Sequence, residues 1–245
     1  MLKRVRPTYW LLLFTLSTSN AAELRVAVAS NFAPAMSNLI SDYQRYSSDK
    51  LTLITGSTGK HYAQIVQGAP FDIWFAADRE RPALLEQQQL SIPGSRFTYA
   101  FGRLVLYSAD REVLDAGALT ESSYRHLAIA NPRHAPYGRA AREVLTTLNL
   151  WSAVQSKLVL GENVAQTFQF IDSGGAELGL VAFSHTKLLS QNTRGWLVPP
   201  HLHQPIEQQA VLIKDSSAAR RFLAYVRSRD AMELIRSFGY DVELQ

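Results

Sequence analysis

The sequence contains no cysteine. That excludes a disulfide framework, thiol catalysis and a lipid-modified cysteine that would tether the chain to a membrane. It also has no large excess of either positive or negative charge. Its 25 basic residues face 21 acidic ones. Without Lys3, Arg4 and Arg6 of the amino terminus the balance is 22 against 21, and the basic residues are scattered among acidic ones. A nucleic-acid binder concentrates Lys and Arg on one face or in runs, so no nucleic-acid partner is expected. There is no internal repeat and no low-complexity linker. The six histidines are dispersed except for His201 and His203. These stand beside Pro199 and Pro200 and read as a loop feature rather than a zinc site.

What is present begins with an amino-terminal segment in three parts: Met-Leu-Lys-Arg-Val-Arg, the apolar run Tyr-Trp-Leu-Leu-Leu-Phe-Thr-Leu, and Ser-Thr-Ser-Asn-Ala-Ala. This is the order of charge, apolar core and small residues found in a secretory signal. The run has eight residues, whereas a membrane span needs roughly 20. The expectation is a cleavable signal over residues 1–22, cut after Ala21 or Ala22, and a mature protein free in a Gram-negative-type periplasm.

Beyond it, short apolar strands alternate with helical stretches, a pattern that predicts parallel sheets flanked by helices. Strands are expected over residues 24–29, 51–54, 71–75, 127–130, 178–183 and 208–213. Met36, Leu39, Ile40 and Tyr43 recur at spacings of three and four and predict a helix, with Pro34 acceptable in its first turn. Further helices are expected to carry Tyr62, Ile65 and Val66, to span residues 81–88 and 119–126, and to follow Gly138 and Val164. Two closing helices should bury Phe222, Leu223, Val226, Met232, Leu234, Ile235 and Phe238 against the first lobe. The stretch "FTYAFGRLVLY", residues 97–107, is long for one strand and has Gly102 in its middle, so it reads as a crossing between two lobes. The division expected is residues 23–99 with 208–245 in one lobe and 100–207 in the other.

The loop "TGSTGK" at residues 55–60 nearly spells a nucleotide phosphate loop, but that motif needs a glycine at Ile54 and a hydroxyl residue at His61. What survives is an anion site at a helix start. Three other junctions offer the same thing: Ala29-Ser30-Asn31-Phe32, Ala135-Pro136-Tyr137-Gly138 and Glu162-Asn163-Val164-Ala165. Helix starts expose unpaired amides and a partial positive charge, which suit an oxyanion. Ser30, Ser57 and Thr58 add hydroxyl donors, and the Tyr137 phenol can add another. Ordinary helix capping accounts for any one junction alone. Glu162 reads as solvated.

In these stretches the chain resembles the periplasmic molybdate-binding proteins of ABC transporters. The resemblance rests on "VAVASNFAPAM", "GSTGKHYAQIVQGAPFDIWFAAD", "LAIANPRHAPYGRAAREVL", "GENVAQTFQFI" and "AELGLVAFS", and covers the mature chain. It implies an α/β, two-lobed type II periplasmic-binding-protein fold, each lobe a mixed, mostly parallel sheet flanked by helices. Molybdate or tungstate would be held by Ser30, Asn31, Ser57, Thr58, Tyr137 and Val164. Molybdenum would enter only as the oxyanion, with no direct protein ligand and no cofactor, and a monomer would deliver it to a membrane permease. Some family members place a ligand tyrosine where this chain has Ala182, and the Tyr137 phenol could replace it from the opposite loop.

Molybdate and tungstate are fully deprotonated near neutral pH and only accept hydrogen bonds. A donor pocket without a carboxylate fits them, whereas phosphate benefits from an acceptor for its proton. The alternatives are the same fold holding sulfate or phosphate, and an exported hydrolase. For the latter, Gly-Ser-Thr-Gly is one residue short of the nucleophile elbow. No enzyme activity is expected.

Overall fold

Seven-residue alternation sets the first strand: Leu24, Val26 and Val28 face one side and Ala27 the other, all buried. The computed structural model describes residues 22–110, 115–187, 189 and 195–243. The expected signal, residues 1–22, therefore lies outside the described residues except for Ala22.

The first unit runs β1 (Glu23–Ala29), a 3-10 turn (Ser30–Phe32), α1 (Ala33–Tyr43), β2 (Lys50–Gly56), α2 (Thr58–Val66), β3 (Ile73–Phe75), α3 (Glu80–Gln87) and β4 (Phe97–Gly102). The chain then enters β5 (Leu104–Tyr107), a 3-10 turn (Ala116–Leu119), β6 (Leu127–Ala130), α4 (Pro136–Thr147), α5 (Trp151–Val154), β7 (Leu158–Gly161), α6 (Val164–Asp172), β8 (Leu178–Ala182), α7 (Phe183–Thr186) and β9 (Trp196–Leu197). It returns through β10 (Ile206–Leu212) and closes with α8 (Ser217–Val226) and α9 (Arg229–Ser237).

Two five-stranded sheets result, in the orders β2-β1-β3-β10-β4 and β7-β6-β8-β5-β9. In each, three neighbouring strands are parallel and two more are joined antiparallel. The two lobes thus repeat one topology. In both, the first and second parallel strands are neighbours, so the loops leaving their carboxyl ends emerge side by side. Open α/β sheets bind ligands at such places.

Both faces of the first sheet are covered. Val26, Val28, Ile73 and Phe75 pack with α1, α8 and α9 through Met36, Leu39, Phe222 and Ile235. Ala27, Trp74 and Val211 pack on the other face with Ile65 and Leu85. Burying a side chain such as Phe222 contributes about 1.5–3 kcal/mol, which is what holds the closing helices on the first lobe. The second sheet has its own core, built on Leu106, Ile129, Leu180, Val144 and Ile171.

Some expectations need correction. The stretch 97–107 is two strands in different sheets, with Arg103 between them. The sheet changes at Arg103 and, on return, before Ile206, so the divisions expected at residues 99/100 and 207/208 shift to those points. No helix forms over residues 119–126; the 3-10 turn Ala116–Leu119 ends there. Hydroxyl residues compete locally for the backbone, as when Thr120 Oγ1 donates to Gly117 O, and the buried Tyr124 hydroxyl donates to Leu119 O. The helix expected to carry Tyr62, Ile65 and Val66 is α2, with Ile65 buried and Val66 on its exposed side.

Candidate functional site

All four expected junctions lie at carboxyl ends of parallel strands: β1 to the turn Ser30–Phe32, β2 to α2, β6 to α4 and β7 to α6. Ser30, Asn31, Ser57, Thr58, Tyr137 and Val164 are all buried, none more than 6% exposed. Contacts between lobes bring the junctions together. The Ala165 amide reaches Ser30 Oγ at 3.4 Å, and the Gly59 amide donates to His134 O at 2.8 Å. A Cβ on Gly59 would lie 2.9 Å from both the His134 Cα and its carbonyl oxygen. The second glycine of Gly-Ser-Thr-Gly-Lys is therefore there to let the lobes meet.

Capping divides the junctions in two. Ser57 Oγ accepts from the Lys60 amide, and Asn163 Oδ1 accepts from the Ala165 and Gln166 amides. The starts at Ala29 and Ala135 have no side-chain cap. Tyr137 sits in the uncapped first turn of α4, behind Pro136, which has no amide to satisfy. Val164 is the first residue of α6, ahead of the two amides its cap takes.

Each hydroxyl of the set already accepts a backbone hydrogen: Ser30 from Ala165, Ser57 from Lys60, and Thr58 from Ala77 at 3.0 Å. A hydroxyl whose oxygen is so engaged has its own proton left to give. The Tyr137 hydroxyl accepts from Gln208 Nε2 at 3.4 Å, and burial pushes its pKa far up, so it stays a neutral donor.

The carboxylates near this seam are all engaged. Glu162 is not merely solvated: it pairs with Lys60 of the opposite lobe at 2.6 Å, both side chains half-exposed. The lysine of the near-phosphate loop is thus committed to a lobe-to-lobe ion pair. Asp78 is buried and lies between Arg81 of its own lobe and Arg139 of the other, which also reaches Glu80. Burial raises the Asp78 carboxyl while both guanidiniums pull it back. His201 and His203 belong to the turn Pro200–Leu202 and its flank, where His203 Nδ1 lies 2.7 Å from Gln204 O.

Two histidines underlie the site. His61 on α2 packs edge-on to Phe71; His185 on α7 packs on Phe168 and hydrogen-bonds the Ser30 backbone. Burial pushes both down to about 4. The folded protein keeps them neutral, whereas the unfolded chain takes up protons below about 6.5. Stability present above pH 6.5 is therefore lost as pH falls towards 4, by about 3 kcal/mol per histidine at most. Urea melts from pH 7 to 4.5 should show this decline, and about half the slope should vanish in His61→Leu. An unchanged slope would mean that the His61 ring does not drive it.

Sequence reasoning missed Gln208, Tyr99, Tyr240, Asp78 and Arg139. One signal for Gln208 was available: it shares the inward alternation of Ala210 and Leu212 on β10, where an apolar residue is expected.

A two-lobed protein with a buried seam of helix starts and spare hydroxyl protons is, as a class, an extracellular solute-binding protein. The family profile described as "Bacterial extracellular solute-binding protein" matches residues 24–241, and the chain belongs to that family. It is 42% identical over 232 residues to the molybdate-binding protein ModA of Azotobacter vinelandii, covering 92% of both chains. It is 38% identical to ModA of Rhodobacter capsulatus, covering 91% of this chain and 90% of that one. The solved structure of the Azotobacter vinelandii periplasmic molybdate-binding protein superposes with a TM-score of 0.86 at 36% identity, over 90% of this chain and 99% of that one.

Proposed function

We propose that this chain is a periplasmic binding protein for molybdate, and for tungstate, which it encloses between its lobes and hands to an ABC permease. The observation that carries this reading is the polarity of the seam. Ser30, Ser57 and Thr58 each accept an amide hydrogen and have a proton to spare, beside the uncapped starts at Ala29 and Ala135. Such a site offers donors to a ligand that only accepts. The relatives at 42% and 38% identity are molybdate-binding proteins, which supports the choice of oxyanion. The protein works as a monomer, without a cofactor and without catalysing a reaction, after its amino-terminal signal is removed.

Hydrogen bonds to a charged group contribute about 1.5–3 kcal/mol each. Six donors exceed the roughly 8 kcal/mol of a micromolar complex, leaving a surplus for lobe closure and desolvation. Calorimetric titration of anion-stripped protein should give tight one-to-one binding of molybdate and tungstate, with sulfate and phosphate silent. Binding of sulfate or phosphate alone would overturn the ligand; no binding of any oxyanion would overturn the site. Tyr137→Phe should weaken molybdate binding about tenfold, the loss of one such bond. Unchanged affinity would remove the phenol from the site.

A further inference from the structure

Gln208 is fully buried on β10, and its amide joins the two lobes. Its Oε1 accepts from Asn31 Nδ2 at 2.8 Å and from the Tyr99 hydroxyl at 3.0 Å; its Nε2 donates to the Tyr137 hydroxyl at 3.4 Å. A Cβ on Gly102 would lie 2.2 Å from that hydroxyl and 2.7 Å from Nε2. The crossover strand leaves this space clear. Asn31 also donates to the Tyr240 hydroxyl at 3.1 Å, and its main-chain carbonyl accepts from Ser184 and Tyr240. Against this satisfied background, Asn31 Oδ1 is buried with no hydrogen-bond partner among the described residues.

In this arrangement Asn31 has only a lone acceptor to offer a ligand beside Ser30. A bare dianion cannot use it and is repelled by it. Asn31 cannot simply turn over, because its oxygen would then meet Gln208 Oε1 at 2.8 Å. If both amides turn together, every heavy-atom distance is kept and the polarity reverses. Gln208 nitrogen then donates to Asn31 oxygen and to the Tyr99 hydroxyl, whose proton has Ala76 O at 3.1 Å. Gln208 oxygen then faces the Tyr137 hydroxyl at 3.4 Å and leaves its proton for the ligand. The Tyr240 hydroxyl turns its proton from the Asn31 main-chain carbonyl to the Asn31 side-chain oxygen at 3.1 Å, while Ser184 still donates to that carbonyl. Asn31 nitrogen is free to donate to the anion.

We propose that Gln208 is a positioning residue for oxyanion recognition: it turns with Asn31 on binding, and so makes Asn31 a donor. This rests on the oxyanion reading above and deepens it. The pair tunes the site between a ligand that carries a proton and one that carries none.

The test is a double-mutant cycle of Asn31→Ala and Gln208→Met, with molybdate affinity read by calorimetry and each variant checked for a cooperative melt. Gln208→Met alone should weaken binding about tenfold, and Asn31→Ala about 30-fold, the range for lost hydrogen bonds to a charged group. The double variant should be no weaker than Asn31→Ala, because Gln208 acts through Asn31. Losses that multiply, or an unchanged Gln208→Met, overturn the proposal. Sulfate is titrated in parallel. If the wild type binds sulfate and not molybdate, the ligand assignment falls and the cycle is read on sulfate; if it binds neither, both readings fall. Should Gln208→Met fail to fold, 15N-labelled wild-type protein decides. The Asn31 side-chain amide protons should move downfield and exchange more slowly on adding molybdate, and an unmoved resonance overturns the coupled turn.

Discussion

Gly138→Ala is expected to abolish high-affinity binding and to destabilise the second lobe. Gly138 lies in the first turn of α4, and a Cβ there would stand 2.1 Å from Ala130 O, 2.7 Å from its carbonyl carbon and 2.9 Å from that of Asn131. All three are backbone atoms, so no side chain can swing aside. Nor can the strand end retreat: Ala130 pairs with Gly161 of β7, the Asn131 amide donates to Gly161 O, and Asn131 O accepts from Ala135. α4 must back away, taking the Tyr137 amide and phenol with it. Overpacking costs 1–3 kcal/mol where side chains can adjust, and against backbone about 3 kcal/mol or more is expected. For a chain of this size that lowers the melting temperature by about 6–12 °C. Calorimetry should show molybdate affinity down more than 100-fold, since loss of even two donors to a charged group suffices. Wild-type affinity would mean that α4 can step back without carrying its amides off the ligand.

The second large effect concerns closure rather than contact. Arg139→Glu should weaken binding about 30- to 150-fold without touching the ligand. The Arg139 guanidinium crosses the seam to the buried Asp78 at 3.1 Å and to Glu80, and Arg81 of the first lobe grips Asp78 from its own side while reaching Arg133 O across the seam. Beside Ala77 and Pro136, the side chains of Asp78, Glu80 and Arg139 line a cavity of 320 Å³ between the lobes. Breaking a buried ion pair costs 3–5 kcal/mol; with Arg81 still present, about 2–3 kcal/mol is expected. That energy is charged to the closed state alone, and affinity falls with the fraction able to close. Molybdate and tungstate should therefore lose equally, whereas a variant at a ligand donor need not treat them alike. The comparison is Lys60→Ala, which breaks the half-exposed pair with Glu162. An exposed bridge is worth 0–1 kcal/mol, so about fivefold is the most it should cost. If Arg139→Glu binds as the wild type does, the clasp contributes nothing to closure.

How far the sequence could be read follows from which interactions are local. β6, at residues 127–130, was legible residue for residue, because four apolar residues between turn signals admit little else. α1 followed from its i, i+3, i+4 spacing, and the two closing helices from theirs. The segment 119–126 failed because its apolar and helix-forming residues were outweighed by hydroxyls that bond the adjacent backbone. The four junctions were legible as helix starts for the same local reason, since caps and strand ends are neighbours in the chain. Whether they met was not. Ser30 and Ala165 are 135 residues apart, Asp78 and Arg139 are 61, and Asn31 and Gln208 are 177.

The sequence by itself determined the alternation of strands and helices, the crossing near Gly102, and hydroxyl residues and amides at four helix starts, because periodicity and capping act within a turn or two. Only the tertiary structure decided what those groups are for. It placed the parallel strand ends of two lobes against each other, sent Lys60 to Glu162 instead of to an anion, and turned each hydroxyl oxygen towards an amide so that its proton remained to give. Hydrogen-bond polarity and charge pairing depend on distances of about 3 Å, and between residues so far apart in the chain only the fold sets those distances.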